Sequence, residues 1–348
     1  MEKKFSIVIP SYNCAKPIML TLTSLELQTF PSDRFEVIVV NDASDDGTDE
    51  VMKTYTPPYS LIYIKNDTRQ GRAFTRNAGV KRAQGRYLVF LDADFLVVPE
   101  FLEVLNTYNH KYPNHVISGF PHSLYGAFTQ YYPHFSNHQK KKMRRILEPN
   151  GLWDKSWLPN NLIVDIVTPD DLRRNFRKLL SVILPSRLSK IDNREFMSTD
   201  VAPWLMFITR CVSVKRRHFM EVGGFQERFI KYGIEDWELG YRLHKHGLSY
   251  RSMNQIIGYH QEHPSTIRKD DPELNNLRMF YDIHGTGDPE LALLSICHPW
   301  KDPQLYKTLL RELKKWKSRD DEYSKLGGVM EKALHQSAKA FIGARIQE

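Results

Sequence analysis

Cysteine is scarce in this chain, with only Cys14, Cys211 and Cys297 among 348 residues. An odd number spaced so widely argues against a disulfide framework or a zinc–thiolate cluster and fits a reducing cytosol. Long apolar runs are also missing. The nearest candidates, Tyr87–Leu91 and Leu179–Leu184, are bounded by charge or proline. Both fall far short of the roughly 20 residues that a bilayer-spanning helix needs. Met1–Phe5 enters a strand-like run with no separate charged and apolar leader, so the chain reads as soluble and cytoplasmic. Internal repeats, low-complexity segments and nucleic-acid-binding modules are absent as well.

What remains is an ordinary globular composition, 41% hydrophobic and 26% charged. The length suits two domain-sized units, or one domain with an extension. The net charge of +8 suits a polyanionic ligand such as a nucleotide diphosphate, an anionic polymer or an acidic membrane surface, though a simply basic solvated surface explains it equally well.

The first hundred residues alternate β-rich runs with amphipathic stretches. Phe5–Pro10, Phe35–Val40, Leu61–Ile64 and Tyr87–Leu91 read as strands, and Pro17–Gln28, Thr48–Thr54 and Gly71–Ala83 as helices between them. Such an order implies βαβ units and a mostly parallel sheet covered on both faces. In a sheet of that kind the ligand lies beyond the carboxyl ends of the strands. Polar residues gather there: Ser11-Tyr-Asn13 after the first strand, Asn41-Asp42 after the second, Asp92-Ala-Asp94 after the fourth.

Asp92 and Asp94 are two carboxylates separated by one small residue. In an extended chain, residues two apart point the same way, so both could address one hard cation. An isolated pair of this kind is more often an acidic turn before a helix, here near Val98–Tyr108. The strand context and the neighbouring rim residues favour the metal.

Phe5-Ser-Ile-Val-Ile-Pro-Ser-Tyr-Asn13, Glu36-Val-Ile-Val-Val-Asn-Asp-Ala-Ser-Asp-Asp-Gly-Thr48, Arg76-Asn-Ala-Gly79 and Phe90-Leu-Asp-Ala-Asp94 follow one another in the order and spacing of a known family. Over its first 105 or so residues the chain resembles a family-2 glycosyltransferase of the GT-A fold, an α/β, Rossmann-like nucleotide-binding architecture. The resemblance implies that Pro10, Ser11 and Tyr12, with Asn13 and Ala93 beside them, lie against the base, ribose or diphosphate of a nucleotide. It implies that Asp42 accepts a hydrogen bond from the base, usually uracil, and that Arg69, Gly71 and Arg76 contact the base or diphosphate. Arginine suits phosphate recognition, and glycine permits close backbone approach. Asp45, Asp46 and Arg72 read as solvated turn or helix-end charges.

A second constellation, Gly223-Gly-Phe-Gln-Glu227 with Gly233-Ile-Glu-Asp-Trp-Glu-Leu239, resembles the carboxy-terminal signature of galactosyl- and N-acetylgalactosaminyl-transferring relatives. By that resemblance Asp236 is the general base, and Glu235 bonds sugar hydroxyls. Gly223 and Gly224 lie at the acceptor, and Trp237 stacks on a sugar face. The plainer reading of Glu235-Asp236 is charge complementing a helix N-terminus. The string Gly258-Tyr-His-Gln-Glu-His-Pro264 looks like the matching segment of chondroitin-polymerase-type enzymes and nominates His260, ahead of His263, as a ligand beside Asp92 and Asp94. Mn2+ or Mg2+ suits that set.

These features imply an inverting transferase that moves a hexose or N-acetylhexosamine from a UDP-sugar to a saccharide, glycolipid or other hydroxyl acceptor, with single or distributive addition in polysaccharide or glycoconjugate synthesis. The Gln-x-x-Arg-Trp signature and membrane helices of processive synthases are missing. Two rivals are a sugar-phosphate nucleotidyltransferase and a degenerate carbohydrate-binding or membrane-adaptor protein. The first would carry a Gly-rich loop and lysine where Ser11-Tyr-Asn13 stands; the second would not keep Asp92, Asp94, Asp236 and His260 together. The expected organisation is a nucleotide-sugar half over 1–119, a basic, aromatic, helical insertion over 120–200, an acceptor-binding and catalytic half over 201–270, and a helical extension over 271–348. Lys140–Arg145 could bind an anionic acceptor or place the chain at the inner face of the membrane, although such runs are usually solvated helix faces. Tyr306–Lys317 and Val329–Ile346 have helical spacing, and this tail could serve as a homo-oligomer interface.

Overall fold

The structure, a computed structural model, describes residues 2–159, 161–186, 188–264 and 272–343. Its centre is set by apolar runs. Phe5–Ser11 (β1), Phe35–Asn41 (β2), Ser60–Lys65 (β3) and Tyr87–Leu91 (β4) are strands, and β2 and β4 are buried along their whole length. Burial on both faces is what continuous apolar parallel strands require. β1 pairs in parallel with β2, Phe5 opposite Phe35 through Ser11 opposite Asn41, and with β4 on its other side. Ala15–Glu26 (α1), Thr48–Thr54 (α2) and Arg72–Val80 (α3) are the intervening helices.

Phe95–Val97 (β5), Phe101–Lys111 (α4) and His115–Ser118 (β6) follow. Residues 120–200 then hold Gly126–Ala127 (β7), Gln130–Tyr131 (β8), Asn137–Leu147 (α5), Val164–Asp165 (β9), Pro169–Arg174 (α6), Ile183–Leu184 (β10) and Lys190–Met197 (α7). Cys211–Lys215 (β11), Arg216–Glu221 (α8), Glu235–Lys245 (α9), Ser249–Ser252 (β12) and Gly258–Gln261 (β13) return the chain to the centre. Pro272–His284 (α10), Pro289–Ala292 (α11), Pro303–Lys317 (α12) and Glu322–Gly343 (α13) form the tail. The helix expected over Val329–Ile346 starts earlier, and its last three positions lie outside the described residues.

The main sheet runs β12-β6-β11-β4-β1-β2-β3. It is parallel except for β11, which is antiparallel to both β4 and β6. β11 therefore sets the 201–270 segment inside the sheet built by the first 119 residues, and one rim carries the ends of both. A second sheet, β10-β7-β13-β5, sits beside it. Alternation in β1 separates two cores: Ile7 and Ile9 face α1 and α4, and Val8 faces α3, α9 and the tail. A third core, with Phe128, Tyr131, Met143, Leu147, Leu172 and Leu179, belongs mostly to residues 120–200.

The tail packs for ordinary helical reasons. Asp302 caps α12 ahead of Pro303, and Tyr306, Leu310 and Leu313 are buried along one stripe. Lys140–Arg145 lies within α5, where only Met143 and Leu147 are buried, so the basic run is the solvated side of an amphipathic helix. Among the described residues no helix is long and apolar enough to cross a membrane.

Candidate active site

The rim at the carboxyl ends of β1 and β2 is a pair of interlocked turns. Asn13 and Ala43 take positive φ, 49° and 61°, so each strand ends abruptly. Asn13 Nδ2 donates to Asp45 Oδ1 at 2.8 Å, the Asp45 amide donates back to Asn13 Oδ1 at 3.0 Å, and Asp46 accepts from the Ala15 amide at 2.8 Å. Asp45 and Asp46 are exposed turn charges, as expected, and they also fasten the rim, because left-handed turns leave amides that need acceptors. Asn13 is committed to the same clip. Pro10 is half-buried, Ser11 is buried with its hydroxyl 3.1 Å from Cys14 Sγ, and Tyr12 is 40% exposed. The Arg69 guanidinium lies 4.1 Å from the Tyr12 ring centroid, giving a flat cationic wall.

Asp42 is 5% exposed and accepts from Asn66 Nδ2, the Gln70 amide and the Gly71 amide at 2.8–2.9 Å. Its first task is to fold the 66–71 loop; one lone pair on Oδ2 is left over. Gly71 has φ +90°, and a Cβ there would stand 2.7 Å from the Ile230 carbonyl oxygen. Only glycine allows the 226–234 loop to close against this rim.

Beyond β4 the chain does not stay extended. The Phe95 amide donates to the Asp92 carbonyl at 3.1 Å, closing a turn, and the Ala93 carbonyl accepts from Thr21 Oγ1 at 2.8 Å. The expectation of two carboxylates on one side fails for that reason. Asp92 faces Arg76 at 3.6 Å, whereas Asp94 lies 3.5 Å from His260 Nε2 and 3.5 Å from His263 Nε2.

β13 delivers those imidazoles. His260 pairs opposite Phe95 in β5, and the Gln261 amide donates to the Asp94 carbonyl at 2.8 Å. Gln261 is held from both sides, donating to the Pro17 carbonyl and accepting from Thr129 Oγ1. Glu262 Oε1 lies 3.7 Å from His260 Nδ1, the position of a carboxylate that orients an imidazole from behind. Burial alone would raise the Asp94 pKa, but His260 and His263 hold it well below the usual carboxylate range; Asp94 in turn raises that of His260 against burial.

Asp94, His260 and His263 each offer one ligand atom within 4.8 Å of the others. Metal–ligand bonds of about 2.1 Å place neighbouring ligand atoms about 3–3.5 Å apart, so the 3.5 Å spacings fit a divalent cation. One oxygen and two nitrogens suit Mn2+ as well as zinc-class ions.

Next to this triad is a knot of charge. Arg76 is 1% exposed and stands 3.3 Å from Glu235, 3.4 Å from Asp236 and 3.6 Å from Asp92. It is a buried counter-charge rather than a group presented to a diphosphate. Arg76→Ala would leave the carboxylates uncompensated, and we expect a loss of about 3–5 kcal/mol of stability, read from the midpoint of urea unfolding. An unchanged midpoint would refute that role. Arg72 is exposed at the start of α3, as expected of a helix-end charge, with its guanidinium 4.5 Å from the Tyr232 ring centroid; despite desolvation, Glu235, Asp92 and Asp236 raise its pKa.

Glu235 is 4% exposed and accepts from the Gly233 amide at 2.9 Å, so it fastens the turn that precedes its own helix while meeting Arg76. Asp236 is held by Thr209, whose amide and hydroxyl donate at 3.0 and 2.9 Å. Burial, with Glu235 and Asp92 nearby, pushes its pKa up to about 7 against the pull of Arg76 and Thr209. Just before this pair, Ile234 adopts φ +71°. A β-branched residue in that region carries about 1–3 kcal/mol of strain, which proteins keep mostly at functional sites.

Three nominated residues are placed elsewhere. Trp237 is 3% exposed, stacked on Trp300 at 6.1 Å and edge-on to Trp204, so it is core and not a sugar platform. Gly223 and Gly224, with φ of 84° and 72°, terminate α8 through bonds back to Met220 and Phe219. Asn77 then clips this turn to α3, exchanging bonds with Phe225 at 2.9 and 3.0 Å. Sequence reasoning gave no role to Thr209 or Glu262, and ranked His263 second. Of these, only His263 carried a signal, its place three residues after His260.

Residues 6–157 match glycosyl transferase family 2, and residues 202–265 match the family described as the N-terminal domain of galactosyltransferase. The chain is 30% identical over 285 residues to the uncharacterized glycosyltransferase YfnE of Bacillus subtilis (strain 168), covering 80% of this chain and 70% of that protein. It is 29% identical over 298 residues to validoxylamine A glucosyltransferase of Streptomyces hygroscopicus subsp. jinggangensis, covering 82% of this chain and 62% of the relative. With chondroitin synthase of Escherichia coli it shares 28% identity over 274 residues, 76% of this chain but 36% of that one. Solved structures share the fold. TarS 1–349 of Staphylococcus aureus in complex with UDP aligns with TM-score 0.54 and 15% identity over 98% of this chain and 90% of that one. The Pyrobaculum calidifontis mannosyltransferase PcManGT in complex with GDP-Man and Mn2+ aligns with TM-score 0.51 and 17% identity over 98% and 87%.

Proposed function

The chain belongs to glycosyl transferase family 2, and on that footing we propose that it is an inverting, metal-assisted enzyme moving a hexose or N-acetylhexosamine from a UDP-sugar to a hydroxyl acceptor. The observation that carries this reading is Asp236: a half-buried carboxylate poised at about 7, fixed by Thr209 beside the nucleotide rim. In the proposed organisation, 1–119 binds the donor and 201–270 carries the base. Residues 120–200 and 271–348 flank them.

Tyr12 and Arg69 flank the base, and Asp42 offers its remaining lone pair to it. Arg72, at the edge of the charge knot, meets the diphosphate in place of the buried Arg76. Asp94, His260 and His263 would hold Mn2+ or Mg2+, with Asp92 near enough to Arg76 to be oriented by it. When bound, such a cation would supply Lewis-acid neutralisation of charge on the departing diphosphate. Asp236 takes the acceptor proton as the acceptor oxygen bonds to the anomeric carbon and the bond to the diphosphate breaks on the opposite face. A UDP-α-sugar would give a β-linkage. The TarS–UDP and PcManGT–Mn2+ complexes support a nucleotide-sugar donor and a divalent metal. The relatives named as a glucosyltransferase and a chondroitin synthase support a saccharide or glycoconjugate acceptor. The exposed bases of α5 are the place for contact with an anionic acceptor or a bilayer surface.

The test is UDP release from a panel of UDP- and GDP-sugars, with and without Mn2+. UDP-sugar turnover that needs metal is expected; turnover confined to GDP-sugars, or indifferent to chelation, would overturn the proposal. A pH profile adds a second check. Because the base acts only when ionised, kcat/KM should rise as pH passes upward through about 7. The limb should vanish in Asp236→Asn.

A further inference from the structure

His218, Glu221 and His246 form a second group of ligand atoms, one from each residue, all within 4.8 Å of one another. His218 and Glu221 lie three residues apart on α8 and so share a face, and His246 is the residue at which α9 ends. Glu221 Oε2 stands 2.9 Å from His218 Nδ1 and 3.1 Å from His246 Nε2, and the two rings are 5.9 Å apart between centroids. Two imidazole nitrogens from different helices therefore converge on one carboxylate oxygen.

We propose that this triad is a divalent-metal site of the zinc class, separate from the cleft, which ties the end of α8 to the end of α9. Two imidazoles and one carboxylate are a sufficient protein ligand set for such an ion, with water completing the shell. Side-chain exposures of 40% at His246 and 48% at Glu221 leave the ion a path from solvent, while His218, at 12%, is anchored. The carboxyl end of α9 points here, and the negative end of its dipole favours a cation. At 1.5 Å per residue His246 lies about 15 Å along α9 from Asp236, so the ion acts on the helix and not on the reacting atoms.

One neighbour opposes the site. Arg217 Nε donates to His218 Nε2 at 3.3 Å, an arrangement that puts the imidazole proton on Nδ1. An ion at Nδ1 displaces that proton to Nε2, which can no longer accept from Arg217, and the exposed guanidinium swings away. The site is consequently weakened by Arg217, and removing it should tighten binding.

The experiment is calorimetric titration of Zn2+ into the metal-stripped chain carrying His260→Ala and His263→Ala, which silences the cleft. One ion is expected to bind. Adding His246→Ala or Glu221→Gln should weaken it by about tenfold or more, since losing a direct ligand costs at least as much as losing an outer partner. Arg217→Gln should strengthen it. In the chain with its cleft histidines intact, Co2+ should give a visible absorption band that His246→Ala diminishes. No binding in the silenced chain, or binding indifferent to His246→Ala and Arg217→Gln, would reduce the triad to an exposed hydrogen-bonded cluster and overturn the proposal.

Discussion

Asp236→Asn is expected to lower turnover by roughly 10²- to 10⁴-fold, the range that a positioned general base supplies, while UDP binding stays within twofold or so of the parent. The substitution is nearly isosteric. The amide oxygen can keep the bond from the Thr209 amide that the carboxylate accepts at 3.0 Å. Charge, not shape, is what is removed. The folded chain should tolerate that loss. Its carboxyl pKa is raised by burial and by Glu235 and Asp92, so the contribution of Asp236 to stability is fully present below its unfolded pKa and is lost as pH rises through about 7. Asparagine does not ionise, so at pH 8 the variant should melt no lower than the parent. Kinetics and thermal melts at pH 8 check both halves. Normal turnover, or a fall in activity matched by unfolding, would remove Asp236 from the role of base.

The fold was legible because its centre obeys one rule. Buried parallel strands must be apolar throughout, and Phe35–Asn41 and Tyr87–Leu91 could hardly be anything else. The helices between them followed to within a few residues. What no periodicity announces is β11: Cys211–Lys215 looks like any apolar strand, and only the assembled sheet reveals it antiparallel between β4 and β6. The interleaving matters, since it carries Thr209 and Arg210 to the end of β4.

Most of the candidate site's residues were named from the sequence, but not their partners. Asp92 and Asp94 were nominated as a pair from the two-residue period of a strand; the turn closed by the Phe95 amide breaks that period and sends them to different neighbours. Arg76 belongs to a motif whose chemistry suggests phosphate, yet position five of α3 faces the interior, where three carboxylates need a counter-ion. Arg72, one turn earlier on the same face, stays exposed beside Tyr232 instead. Trp237 lies beside Asp236 in sequence, but adjacent helical positions diverge by about 100°, which turns it into the core.

Asp94→Ala should abolish transfer by about 10³-fold or more, the several kcal/mol attributed to a catalytic cation, and should weaken Mn2+ binding in parallel. The two histidines should not be equal. His260 sits in β13, paired with Phe95, with Glu262 3.7 Å behind its Nδ1, so its ring is pre-oriented. His263 lies just past the strand with 47% of its side chain exposed, and its Nδ1 bonds to the neighbouring Pro264 carbonyl at 3.0 Å. A ligand already held in place loses less freedom on binding than one that must be ordered. His260→Ala should therefore approach Asp94→Ala in both activity and Mn2+ affinity, whereas His263→Ala should lose distinctly less. Titration of Mn2+ followed by the paramagnetic signal of the free ion separates affinity from turnover. If His263→Ala proved the more damaging, the exposed imidazole would be the principal ligand, and the strand-mounted His260 would serve to position Asp94.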